Sequence, residues 1–211
     1  MNQTTFLVDG FNLYHSVVSL QNDKNIRSKW LDIKRLCQSH LYLIGKDAKL
    51  TDIFYFSALA YHLAQNDPDK IQRHRKYIAC LEEIGLHVQL AKFKKKFYFC
   101  DQCNARNKRH EEKETDVAIA SKIFELFYND DCDTIVLVTG DTDLRPAVIT
   151  AKQLFPDKAI LFAFPYKRKN NELSQIAPGS FKLSPTSYSH CVLPDPFVLK
   201  NGQTIYKPKD W

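Results

Sequence analysis

The sequence has no apolar run long enough to span a bilayer, and its opening stretch "MNQTTFLVDG" has neither a basic leader nor a small-residue cleavage site. A cytoplasmic protein that meets no membrane is therefore expected. Six cysteines are present (Cys37, Cys80, Cys100, Cys103, Cys132 and Cys191), but without an export signal they are expected as thiols, or as one metal or redox site, and not as a disulfide frame. Only one C-x-x-C occurs, Cys100–Cys103, with no second pair to complete a zinc ribbon. The G-x-G-x-x-G fingerprint is missing too, which argues against a flavin or dinucleotide enzyme.

What is present is a chain of 211 residues, 44% hydrophobic and 12% aromatic, well able to bury a core as one domain or a domain with a small appendage. Its formal charge of +6 falls in runs: "QRHRKY" from Gln72, "KFKKKFYF" from Lys92, "RNKRH" from Arg106 and "YKRKNN" from Tyr166. Aromatics lie inside or beside two of them. Lys94, Lys95, Lys96, Arg106, Lys108, Arg109, Lys167 and Arg168 are thus candidates for binding a phosphate backbone, with a solvated face as the plain alternative.

Strand and helix patterns alternate. "TTFLVD" and "TDIFYFSAL" read as strands, with a helix between them over "SKWLDIKRLCQSHLYLIG" and Gly45 as its stop. Pro68 opens a helix reaching Gly85, and the strand "LHVQLA" follows. After a polar insert from Lys92 to Glu112 come helix "TDVAIASKIFELFYND", strand "DTIVLVT", helix "DLRPAVITAKQLF" and strand "KAILFAF". The expected fold is α/β in three layers, with a mainly parallel central sheet flanked by helices.

Open parallel sheets bind ligands beyond the carboxyl ends of their strands. Asp9 ends the first strand, Asp141 and Asp143 follow a later one, and Asp116 stands in the first turn of a helix for which Thr115 is the natural N-cap. If those strands are neighbours, four carboxylates converge, and their repulsion calls for a hard cation such as Mg²⁺ or Mn²⁺. Taken singly, each aspartate also reads as a turn or cap residue, with Asp143 as the N-cap of the helix that carries Pro146.

"FLVDGFNLYHS", "EEKETDVAIA" and "VTGDTDLRPAV", in that order and spacing, resemble the NYN domain family of the PIN-like ribonuclease superfamily. The tail, with Leu193, Pro194, Pro208 and Trp211, resembles members ending in a "LP…P…W" pattern. The resemblance implies a nuclease domain over residues 1–185, with the insert at about 92–112, and a C-terminal tail over 186–211 that packs on it. It also implies metal-dependent endonucleolytic cleavage of RNA. Asp9, Asp116 and Asp141 would hold the ion, and Asp143 would bind a second ion or orient the water. Asn12 would position Asp9 or a phosphate, or else cap the helix that follows. Thr139 would bond a carboxylate or the scissile phosphate, or else fill a strand end, and Lys113 would contact phosphate or pair with a neighbouring glutamate. RNA is the implied partner, with homodimerisation left open.

Cys100, Cys103 and His110 make an incomplete Zn²⁺ set, against which stands a reduced hairpin with two ordinary thiols; Cys37, Cys80 and Cys132 read as core. Two other functions compete with the nuclease. One is an RNA-binding or regulatory module without turnover. The other is hydroxylation of a pyridine-type small molecule, to which a few chains of similar pattern are assigned.

Overall fold

The computed structural model describes residues 1–65, 67–99, 102, 103, 105–209 and 211, with the backbone alone at 108, 109 and 111. The chain begins at the middle of its sheet. β1 (Asn2–Asp9) pairs in parallel with β2 (Ala48–Ala58) on one side and with β5 (Thr134–Val138) on the other. β3 (His87–Phe99) and β4 (Arg106–Lys113) continue outward from β2, while β6 (Ala159–Phe164) and β7 (Ser180–Lys182) continue from β5. The order is β4-β3-β2-β1-β5-β6-β7, and among these neighbours β3 and β4 are the antiparallel pair. This is the three-layer α/β, PIN-like architecture, and the strand order diverges between β1 and β5.

Side chains alternate across a strand, so β1 feeds both layers. Phe6 and Val8 join the core beneath α1 (Gly10–Lys24), α2 (Ile33–Gln38) and α3 (Asp69–Glu83), which supply Leu13, Leu36 and Leu81. Leu7 joins the opposite core, where α4 (Thr115–Tyr128), α5 (Arg145–Leu154) and α6 (Asn171–Ile176) supply Ile123, Val148 and Leu173. Gly10 is required at the β1–α1 junction, since a Cβ there would stand 2.6 Å from the Phe56 carbonyl oxygen and 2.8 Å from the Tyr55 ring.

The helix expected over residues 28–45 is shorter. Asp32 caps it by accepting from the Arg35 N–H at 2.9 Å, so α2 starts at Ile33. Before it, Leu31 bridges Val192 and the Trp30 indole donates to the Pro194 carbonyl at 3.0 Å. After it, the Ser39 hydroxyl donates to the Leu36 carbonyl and a 3₁₀ turn over Leu41–Leu43 takes over, so the chain has left the helix before Gly45. α7 (Pro185–His190) and the ribbon of β8 (Phe197–Val198) with β9 (Thr204–Ile205) complete the described elements. The Trp211 ring lies 6.1 Å from Trp30 and 5.6 Å from Tyr77, against the core.

Candidate active site

Asp9 closes β1 in register with Phe56, and the alternation that sends Leu7 toward α4 and α5 sends Asp9 the same way. Asp9 is 3% exposed, and its carboxylate accepts four hydrogen bonds. Oδ1 takes the backbone N–H groups of Phe11 and Asn12, both at 3.0 Å; Oδ2 takes Asn12 Nδ2 and Thr139 Oγ1, both at 2.8 Å. These donors fill the lone-pair directions of a carboxylate. Burial outweighs them and raises the Asp9 carboxyl above its ordinary range, with Asp141 adding to the rise.

Asp9, and not Asn12, is therefore the N-cap of the first helix. Asn12 instead joins two loops: its Nδ2 holds Asp9, and its Oδ1 accepts the Gly140 N–H at 3.2 Å. Thr139 is 1% exposed and also bridges, donating to Asp9 while accepting the Asp141 N–H at 3.1 Å. Asp143 does not begin the helix either. Asp141 Oδ1 accepts the Asp143 N–H at 3.0 Å and caps a 3₁₀ turn over Thr142–Leu144, and α5 starts at Arg145 with Pro146 in its first turn. The structure thus moves the cap expected at Asp143 back to Asp141, because a carboxylate two residues ahead of an N–H closes an Asx turn.

Thr115 is likewise the first residue of its helix and not its cap. Glu114 holds the cap position with a left-handed φ of 84°, and the Thr115 hydroxyl donates to Glu112. One residue on, Asp116 is half-buried, and burial followed by the charges of Asp141, Asp9 and Asp143 pushes its carboxyl up to about 6. Glu112 is pushed up to about 7 by burial, then by Asp116 and Asp9. Lys113 is exposed at the end of β4, and its charge works against that rise. Glu112 is a site residue that sequence reasoning missed. Its signal was its place four residues before Asp116, where a strand runs into a helix with a single residue between them.

Asp9, Asp116, Asp141, Asp143 and Glu112 all enter one electrostatic group at the carboxyl ends of β1 and β5. Among the described residues no group of three or more His, Cys, Asp or Glu side chains is placed to hold a metal ion by itself. Mg²⁺ does not require one, because it keeps several waters and takes one or two protein carboxylates directly. Carboxylates crowded together in a partly buried site fit a cation of that kind.

Cationic residues flank the edge on both sides. Asn12, Gly140 and Asp141 border a recess of about 300 Å³ with Lys167, Arg168 and Lys169. Gly140 is pressed against the Arg168 carbonyl, leaving no room for a Cβ. Lys167 has a φ of 58° and pairs through Nζ with Asp23 at 2.6 Å. On the other side, the insert forms a hairpin of β3 and β4 in which Lys94 pairs with Glu114 at 2.8 Å. The Phe97 ring takes Lys95 Nζ at 4.7 Å and the Arg106 guanidinium at 3.9 Å. Lys96 is engaged as well. The side chains of Lys108 and Arg109 lie outside the described residues.

Cys100 of the expected zinc set also lies outside the described residues, and Cys103 is exposed at the turn. The structure does not bring His110 to it. His110 sits opposite Lys95, four residues along the strand from Arg106 or about 13 Å at the usual rise, and its ring stacks on His62 at 4.3 Å. Cys37, Cys80 and Cys132 are buried, and no described helix is long and apolar enough to cross a membrane.

Residues 4–183, which carry this edge and the strands behind it, match the model of the NYN domain. The chain belongs to the NYN domain family. NYN domains form a PIN-like ribonuclease family. A protein of unknown function from Vibrio parahaemolyticus shares the fold at 18% identity and a TM-score of 0.55, over 87% of this NYN chain and 93% of that one. A deacetylase in complex with teicoplanin, from the teicoplanin biosynthesis pathway, aligns at 11% identity over 74% of this chain and 68% of that one, with a TM-score of 0.35 too low to carry any argument. Among curated proteins none matches the chain.

Proposed function

We propose that this NYN domain is a metal-dependent endoribonuclease. The observation that carries the reading is the group of carboxylates at the divergence of β1 and β5, in which Asp9, Asp116 and Glu112 are raised by burial and then by neighbouring charge, with basic walls on either side. One or two of Asp116, Asp141 and Asp143 would take Mg²⁺ or Mn²⁺ directly and the rest would reach it through its waters, with Asp9 contributing charge. The ion would lower the pKa of a bound water and offset charge developing on the phosphate.

The chain's own residues do the rest. Thr139 and Asn12 fix Asp9 to the Gly140–Asp141 loop, so the two strand ends cannot drift apart when the carboxylates are charged. Lys167, Arg168 and Lys169 on one side and the hairpin on the other give backbone phosphates cationic partners across the edge. A site flanked on two sides suits a strand that passes through it, hence cleavage within a chain and not from an end.

The test is cleavage of a labelled RNA by metal-stripped protein, with and without added Mn²⁺. Metal-dependent internal cuts are expected. RNA binding without cleavage at any manganese concentration would reduce the protein to a binding module.

A further inference from the structure

A larger cavity, of about 450 Å³, lies on the opposite face of the sheet between α1, α3 and the end of β2. It reaches the edge of the candidate site at Gly10 and Phe11, the two residues that follow Asp9. Phe93 of the hairpin joins it there, packing edge-on against Phe11 at 5.6 Å and against His62 at 4.6 Å. Leu13, Val17, Leu31, Leu63 and Ile71 give it carbon walls, and it meets solvent beside Tyr14 and His15.

Its polar groups stand both inside and at its rim. Ser57 is 3% exposed and stands 3.4 Å from His74 Nε2, a ring whose protonation is pushed down to about 4 by burial and by Lys70. A neutral imidazole offers one donor and one acceptor. Ser28 is 1% exposed, and its hydroxyl has no hydrogen-bond partner among the described residues. A buried hydroxyl left unpaired in a cavity wall is free to bond the polar edge of a ligand. Lys29 and Lys70 line the same cavity and add positive charge, and Asp67, which also lines it, is paired with Arg73.

We propose that this cavity receives one nucleobase of the RNA strand that crosses the aspartates. The inference rests on the nuclease reading and adds the substrate's docking point. A nucleobase has two π-faces for rings such as Phe93 and His62 and an edge that both donates and accepts, and it brings a phosphate to adjacent lysines. The volume falls in the range of small-ligand sites. Because the cavity and Asp9 share the β1–α1 junction, a base seated in it fixes which phosphate meets the carboxylates.

The test uses metal-free protein in EDTA, so that cleavage plays no part. A short fluorescent RNA is made abasic at each position in turn. One abasic position is expected to weaken binding about tenfold, with its neighbours changing it less than about twofold. Leu63→Trp, which fills the cavity, and His74→Phe, which removes its polar edge, should each weaken the intact RNA about as much and abolish the positional effect. A flat abasic scan, or a positional effect that survives Leu63→Trp, overturns the proposal. So does a flat scan with adenosine monophosphate binding that Leu63→Trp abolishes, which would make this a site for a free nucleotide. A positional effect in a protein that never cuts RNA would keep the cavity and defeat the nuclease reading; cleavage with a flat scan would do the reverse.

Discussion

The hydroxyl of Thr139 donates to Asp9 Oδ2 at 2.8 Å, closing a link between residues 130 positions apart. It ties the end of β1 directly to the end of β5, and both partners are buried. Thr139→Val should remove a donor to a buried carboxylate, a loss of about 1–3 kcal/mol. The hydroxyl favours the ionised form of Asp9, so the loss should shrink in acid, where that carboxylate takes up its proton. Urea unfolding of the variant and Thr139→Ser at neutral and acid pH checks this, with serine expected to stay close to wild type.

Carboxamides at positions 9 and 116 should move the metal-free protein in opposite directions. Asp116 accepts no hydrogen bond among the described residues and sits in the repulsion of its neighbours, so Asp116→Asn should raise the melting temperature in EDTA. Asp9 accepts four bonds, and the amide of Asp9→Asn must turn its NH₂ toward two of those donors. That variant should melt lower. Both should lose metal-dependent cleavage. A higher melting temperature for Asp9→Asn would show that repulsion, not hydrogen bonding, dominates at that position.

The pH dependence of stability follows from the same groups. Asp116 and Glu112 are raised to about 6 and about 7, from 3.8 and 4.5. Between these values the folded state holds protons that the unfolded chain has released, so their contribution is present in acid and is lost as pH rises through about 6 to 7. His74 runs the other way: lowered to about 4, it binds its proton only on unfolding and costs stability as the solution is acidified. The clean measurement is therefore a difference. Relative to wild type in EDTA, Asp116→Asn with Glu112→Gln should become progressively more stable from acid to neutral pH, and millimolar Mg²⁺ should shrink the gap. A difference that stays flat with pH would remove Glu112 from the site.

The alternation of strands and helices and the two-sided core were legible because β1, β5 and β6 are short apolar runs separated by helices of clear period, and parallel sheets bury such runs on both faces. The convergence of Asp9, Asp116 and Asp141 was expected only if the first and later strands are neighbours, and the pairing of β1 with β5 meets that condition. What could not be read were features decided between segments distant in sequence. The helix over residues 28–45 is cut short by contacts from Val192 and Pro194, which periodicity within the segment does not contain. The caps weighed at Asn12 and Asp143 moved by three and two residues because Asp9 and Asp141 each serve their own turn while facing the site. Glu112 lay in a charged run where any glutamate reads as solvated, and only the register of the hairpin, with Glu112 opposite Phe93, turns it inward.

The hairpin lysines are engaged within the protein, Lys94 with Glu114 and Lys95 over Phe97. Surface pairs of this kind contribute little to stability, so RNA phosphates can displace them. Replacing Lys94, Lys95 and Lys96 by alanine should weaken RNA binding alike on all sequences and flatten its dependence on salt, with the melting temperature nearly unchanged. Unchanged affinity and salt slope would return this run to a solvated face.

Asp141 and Asp143 allow cap and chemistry to be separated, since the structure gives the cap to Asp141. Asp141→Ala should cost about 1 kcal/mol, and Asp141→Ser should recover most of it while leaving cleavage abolished, because a hydroxyl accepts the Asp143 N–H without supplying charge. Asp143 is exposed, and its carboxylate accepts no bond among the described residues. Asp143→Ser should therefore leave stability within about 0.5 kcal/mol of wild type. Its cleavage should still fall more than tenfold, since a neutral side chain cannot help to hold a divalent cation or orient a water. Asp143→Glu should also lose most activity, as one added methylene shifts the carboxylate by about a bond length in a site that tolerates little misplacement. The measurement is a manganese titration of cleavage beside urea unfolding for each variant. If Asp143→Ser cuts RNA at the wild-type rate throughout, Asp143 lies outside the chemistry, and the centre contracts to Asp9, Asp116 and Asp141.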